Sequence, residues 1–269
     1  MLAIVLAKGD DKLLGALSLQ KCKDFTVYLP ENDPAETDYE SQLHFKHGDW
    51  RNTDEELTCI LEPGALPEPS FVKSILHTTS RHPDFDVYHV NITGEKTFPR
   101  KADTRKFFRL AILDNVPAPL STFIFRSARL REKSVFEADG DLEVLPTVLN
   151  CARERPIRNV WWEEIGWTAA VPSTDPATEE AAVRARIDLF RWTESFFGDD
   201  DYPLSVGDQL ELFASEVARL YPSYTAEELQ ETMYSFQVSQ GTVRKLRAAS
   251  ALKSALKERE KELQQAATM

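Results

Sequence analysis

Short apolar runs and amphipathic stretches alternate along the first two thirds of the chain. Ala3 to Ala7 is continuously apolar, the pattern of a strand covered on both faces. Asp10 and Asp11 can cap a following helix whose Leu13, Leu14 and Leu17 share one side. Asp24 to Leu29 reads as a second strand stopped by Pro30, and Leu57 to Leu61 as a third, also stopped by proline. Phe71, Val72, Ile75 and Leu76 recur at helical spacing between Pro69 and Ser80. Asp86 to Thr93 alternates and ends at Gly94, which predicts one arm of a hairpin. A helix is expected over Thr104 to Leu113, a strand over Ser121 to Arg126, and a helix from Asp141 to Ala152. Strands alternating with helices predict an α/β sheet.

The pattern changes near Pro172. Asp175-Pro176 is a helix start, with the acid as cap and proline in the first turn. Ile187, Phe190 and Phe197 fall on one face, and Leu210, Phe213, Val217 and Leu220 on another. Thr225 with Glu228 forms the capping-box pair of a helix carrying Leu229, Met233 and Phe236. Beyond Thr242 the chain is rich in Ala, Lys, Glu and Leu, with a short seam at Leu246, Ala249, Leu252, Leu256 and Leu263. No strand is expected after Trp167. The expected organisation is a sheet domain over residues 1–172 and a helical extension over residues 173–269. The extension offers a surface for a homo-oligomer or protein partner through residues 175–269, or simply a solvated helical face.

Composition narrows the function classes. The 269 residues are 42% hydrophobic, enough to bury a core and incompatible with general disorder. The net charge of −12 argues against a nucleic-acid binder that neutralises phosphates over its whole surface. No apolar run approaches the roughly 20 residues needed to cross a bilayer, and the N-terminal apolar run lacks a basic leader, so no transmembrane segment is expected. Cys22, Cys59 and Cys151 are odd in number and far apart, which suits a reducing compartment; the expected location is cytoplasmic.

The order of segments resembles the nucleotide-sugar-dependent glycosyltransferases of family 2. The residues that carry the likeness are Gln20, Asp24-Phe25-Thr26-Val27-Tyr28-Leu29-Pro30-Glu31-Asn32-Asp33, then Ile60-Leu61-Glu62-Pro63-Gly64, then Phe123-Ile124-Phe125-Arg126 leading to Gly140-Asp141-Leu142. The resemblance implies a GT-A fold, a Rossmann-like mixed sheet flanked by helices. It implies a nucleoside-diphosphate sugar as donor, an inverting displacement by an acceptor hydroxyl, and a role in polysaccharide or glycoconjugate assembly. Asp141 matches the general base of the family's Glu-Asp pair. Glu31, with Asn32 beside it, matches the nucleoside-binding turn. Glu62 matches the first acid of the Asp-x-Asp loop that holds Mg or Mn.

The departures are equally legible. Gly64 stands where the second metal carboxylate belongs, and Gly140 replaces the acid before Asp141. A lone Glu62 is a poor magnesium site, because such ions need several oxygen ligands. Asp141 also reads as the N-cap of the helix that it opens, and Glu31 as a solvated turn residue. His89, in a strand, is a candidate for a further metal ligand, as in some related transferases; His44, His47, His77 and His82 read as surface residues. Trp161, Trp162 and Trp167 suit either stacking on a sugar or packing of the appended helices. Two functions therefore compete: an active transferase, and a domain that has kept the fold, lost the reaction and serves as a binding or scaffolding subunit.

Overall fold

In the computed structural model, the described residues are 1–6, 10–30, 39–47, 54–62, 65–91, 96–114, 116, 118–132, 137–138, 141–142, 144–161, 165–167, 189, 192–193, 195–198, 202–221, 224–235 and 250–257. The chain divides into two compact units, Met1–Ala170 and Val171–Met269.

In chain order the first unit runs β1 (Leu2–Leu6), α1 (Asp11–Ser18), β2 (Phe25–Leu29), β3 (Phe45–His47), β4 (Leu57–Leu61) and β5 (Ala65–Pro67). It continues with α2 (Phe71–Arg81), β6 (Val87–Asn91), β7 (Lys101–Ala102), α3 (Thr104–Leu113), β8 (Phe123–Arg126) and α4 (Ser127–Glu132). β9 (Glu137–Ala138), β10 (Asp141–Leu142), α5 (Val144–Cys151), β11 (Ile157–Trp161) and β12 (Ile165–Trp167) complete it. Eight strands form one mixed sheet in the order β3-β2-β1-β4-β8-β6-β11-β7. β1 is parallel to both β2 and β4, placing Ile4 between Val27 and Cys59. β8 runs against both of its neighbours, β4 and β6. Two short ribbons, β9–β10 and β5–β12, stand apart from the main sheet.

The central strands β1, β2, β4 and β6 are buried along their whole length because both sheet faces are covered. Leu2, Ile4, Leu6, Val27, Leu29, Cys59 and Leu61 pack with Leu13, Leu14 and Leu17 of α1 and with Phe71, Val72 and Ile75 of α2. The alternate positions Ala3, Val5, Tyr28 and Ile60 belong to a second cluster with Phe98, Phe107, Phe123, Phe125, Val148 and Cys151. Helix starts follow local chemistry. The Asp10 carboxylate accepts from the Lys12 and Leu13 N–H groups at 2.8 and 3.1 Å, and Asp103 accepts from the Lys106 N–H at 2.8 Å. At α2 the cap comes from elsewhere. Ser70 makes no side-chain cap, and the Gln20 Oε1 accepts from the Val72 N–H at 3.1 Å. Gln20 also donates to the Glu68 and Ala16 carbonyls, so this buried amide ties the end of α1 to the start of α2.

Two expectations change. Asp86 to Thr93 is no hairpin arm: β6 lies between β8 and β11, both distant in sequence. The helix expected from Asp141 begins at Val144, and Asp141 itself pairs with Ala138 in the β9–β10 ribbon, so it is not the N-cap.

In the second unit, the helix Val206–Leu220 opens with a capping box in which Ser205 and Asp208 bond reciprocally. The helix Ala226–Ser235 opens on the anticipated pair: the Thr225 N–H donates to Glu228 Oε2 at 2.7 Å and the Glu228 N–H to Thr225 Oγ1 at 3.3 Å. The Thr225 backbone bond holds the Glu228 carboxyl below its ordinary value. Leu210, Val217 and Leu229 are buried, as is Leu252 in the helical residues 250–257. Phe236, Leu246, Ala249 and Leu263 lie outside the described residues.

Candidate functional site

In open α/β sheets a crevice forms beyond the carboxyl ends of the strands, where successive connections leave in opposite directions. Here that switch falls at β1, whose parallel neighbours are β2 on one side and β4 on the other. Glu62 follows β4 directly. Glu31 and Asn32 follow β2 by sequence but lie outside the described residues, as do Pro63 and Gly64. Asp141 is described by its backbone alone, in the β9–β10 ribbon.

Glu62 is held firmly. Its N–H donates to Ser121 Oγ at 2.7 Å, and its Oε2 accepts from the Ser121 N–H at 3.2 Å and from the Ser121 hydroxyl at 3.0 Å. Ser121 is fully buried in a 3-10 turn that leads into β8, the strand inserted beside β4. The Glu62 carbonyl accepts from the Ala65 N–H at 3.1 Å, which turns the chain into β5. β5 pairs with β12 and sets Trp167 opposite Ala65, three residues beyond Glu62. The sequence reading missed Ser121 and this ribbon. Ser121 lies 59 positions from its partner, and three-residue strands have no readable period. Ser121→Ala is expected to destabilise the protein by about 1–3 kcal/mol, because it leaves the part-buried Glu62 N–H without its acceptor and removes one of the two bonds to the Glu62 carboxylate. A denaturant melt with wild-type stability would contradict this.

Next to the β2 end, Tyr28 donates its hydroxyl to Glu55 Oε2 at 2.9 Å, and Lys46 pairs with Glu55 Oε1 at 3.1 Å. The Glu55 side chain is 2% exposed and that of Lys46 41%. The bond to Glu55 raises the Lys46 ammonium above its ordinary value. This pairing braces the β2–β3 edge from which the Glu31 segment departs.

Among the described residues, the donors at the end of β4 do not make up a divalent-cation site. Glu62 already uses one carboxylate oxygen on Ser121. Gly64 has no side chain to serve as a ligand. Among the described residues no group of three His, Cys, Asp or Glu side chains is arranged to hold a metal ion. His89 does not serve as a crevice ligand either: it is fully buried, with ring centroids of Phe98, Phe123 and Phe107 at 4.8, 4.9 and 5.9 Å. It belongs to the core face rather than the strand ends. Among the described residues no helix is long and apolar enough to cross a membrane.

No protein-family description and no curated protein sequence matches the chain. Solved structures do match its fold. TarS 1-349 of S. aureus in complex with UDP superposes with a TM-score of 0.55 at 11% identity, covering 97% of this chain and 91% of that one. The same protein with UDP-GlcNAc gives 0.52 at 9% identity, covering 96% and 92%. The mannosyltransferase PcManGT from Pyrobaculum calidifontis, in complex with GDP-Man and Mn2+, gives 0.53 at 11% identity, covering 95% and 85%. The mixed eight-stranded sheet flanked by helices is therefore the GT-A fold found in nucleotide-sugar glycosyltransferases.

Proposed function

We propose that this chain is a glycosyltransferase that binds a nucleoside-diphosphate sugar and transfers the sugar to a hydroxyl acceptor with inversion. The observation that carries this reading is the β2-β1-β4 switch point with Glu62 fixed at its rim, in a fold shared along nearly the whole chain with UDP- and GDP-sugar-bound proteins. In this reading Glu31 and Asn32, at the end of β2, contact the nucleoside. Glu62 lies on the diphosphate side. Asp141 accepts the proton that the acceptor hydroxyl loses as it attacks the anomeric carbon. The nucleoside diphosphate leaves with the bonding pair. Residues 1–172 would carry this chemistry, with residues 173–269 as a helical extension.

One observation favours a second reading, a binding or scaffolding subunit without turnover. The Glu62 carboxylate is engaged by Ser121, and Gly64 stands at the position of the second acid, so the loop lacks the carboxylate pair that would hold a cation against a leaving diphosphate. A thermal-unfolding series with UDP, GDP and CDP sugars, with and without manganese, tests both. A ligand at 100 times its Kd adds about 2.7 kcal/mol to the stability of the folded state. The transferase reading expects a saturable rise in Tm with one nucleotide, accompanied by release of the free diphosphate when an acceptor is present. Binding without release supports the scaffold. No rise with any nucleotide at millimolar concentration overturns the transferase reading.

A further inference from the structure

A cationic cluster at the other end of the sheet has no part in the chemistry above. β6 and β11 are parallel, and β7 runs against β11 at the sheet edge, so Arg158 stands directly opposite Lys101 on one side and Tyr88 on the other. Both cations lie over the same ring: the Arg158 guanidinium carbon is 5.9 Å and the Lys101 Nζ 6.0 Å from the Phe85 centroid. His82 packs edge-on against Phe85 at 6.4 Å, and its Nε2 is 3.4 Å from an Arg158 terminal nitrogen. Tyr88, at 6.2 Å from Phe85, completes the floor. Lys101 is exposed, while Arg158, His82 and Phe85 are half-buried.

Charge matching distinguishes this cluster from its neighbours. Arg129 meets Asp86, Glu132 and Glu154, and Arg126 meets Glu56. Arg155 also reaches Asp86. The chain holds 44 acidic residues against 32 basic ones, yet among the described residues Lys101 and Arg158 form no ion pair. Two nearby acids leave them unmatched. Asp103 is committed to the first turn of α3, and Asp84 is exposed and makes no ion pair among the described residues. The Arg158 Nε–H is buried without a hydrogen-bond partner. Like charges directly opposite on neighbouring strands destabilise a sheet. The ring of Phe85 offsets part of that cost through its π-face. An oxyanion bridging the two cations would turn the remainder into attraction, with the planar guanidinium fork and the ammonium as complementary donors.

We propose that Arg158, Lys101 and His82, gathered around Phe85, form a second ligand site that binds a phosphate group. It is separate from the donor crevice. Cys59 of β4 and Tyr88 of β6 share Ile124 as register partner; Glu62 lies three residues beyond the first and Phe85 three residues before the second. At ~3.3 Å per residue the two places are about 20 Å apart along the strands.

The full chain is titrated with inorganic phosphate, and separately with phosphatidylglycerol and phosphatidylcholine vesicles, at constant ionic strength. Thermal unfolding and vesicle co-sedimentation are the readouts. The wild type is expected to respond saturably to inorganic phosphate. Lys101→Gln and Arg158→Gln each weaken the response at least about tenfold, Lys101→Glu abolishes it, and Lys73→Gln, an exposed lysine on α2, leaves it unchanged. Lys101 is at the surface, so its variants report even where Arg158→Gln folds poorly. Binding of the phosphatidylglycerol vesicles alone, lost in Lys101→Glu, assigns the phosphate group to a lipid. No saturable response to either probe, or a response that survives Lys101→Glu, overturns the site. The shift produced by a nucleotide sugar stays the same in Lys101→Glu, which separates this test from that of the donor crevice.

Discussion

Asp141→Asn is expected to lower kcat for sugar transfer by about 10²–10⁴, with nucleotide affinity almost unchanged. The substitution keeps the shape of the side chain and its capacity to accept a hydrogen bond. It removes the basicity, because an amide does not take a proton from an attacking hydroxyl. A residue acting only in proton transfer should lose turnover rather than ground-state binding. Asp141 sits in a two-residue strand paired with Ala138, so the local fold depends on backbone bonds that asparagine keeps. The measurement is steady-state release of the nucleoside diphosphate alongside a nucleotide-binding isotherm. Wild-type turnover in this variant would remove Asp141 from the reaction. Loss of nucleotide binding as well would recast it as a donor contact.

Phe107→Ala should produce the largest stability loss, about 3–5 kcal/mol. Phe107 is fully buried and stacks on Phe98 with centroids 4.1 Å apart and planes 13° from parallel. Its edge contacts reach Phe123 of β8 at 5.8 Å and His89 of β6 at 5.9 Å. Removing the ring leaves a cavity walled by two strands whose positions are fixed by sheet pairing, so the site cannot collapse to fill it. The Asn91 side chain adds to that rigidity: it accepts from the Phe98 N–H at 2.9 Å and donates to the Phe98 carbonyl at 3.2 Å. Hydrogen exchange at β6 and β8 checks the prediction within the first unit. Unchanged protection there would show that the cluster is not the keystone of this half of the sheet.

Much of the scaffold is legible from local pattern. α1, β2, β4, α2 and α3 announce themselves because period and capping residues lie within a dozen positions of each other. The capping box at Thr225 and Glu228 is legible for the same reason. β3, β5, β7, β9, β10 and β12 are not, since two or three residues do not establish a period and each forms only because a partner strand is presented to it. The hairpin expected near Gly94 fails on the same ground: a strand's neighbours are chosen by the whole sheet rather than by the next turn.

At the candidate site, residue identity alone says which acids are present and which are absent. Glu62 is present, Gly64 and Gly140 are not acids, and this follows from residue identity at positions set by collinear segments. What Glu62 touches depends on the folded sheet. Ser121 reaches it because β8 enters the sheet in reverse beside β4, and such pairing costs loop-closure entropy that no local signal records. The meeting of Arg158 and Lys101 has the same origin. The sequence determines that both are basic; the register of β11 against β7 brings their charges together. Residue chemistry is written locally, whereas juxtaposition is fixed by long-range pairing that stabilises the sheet as a whole.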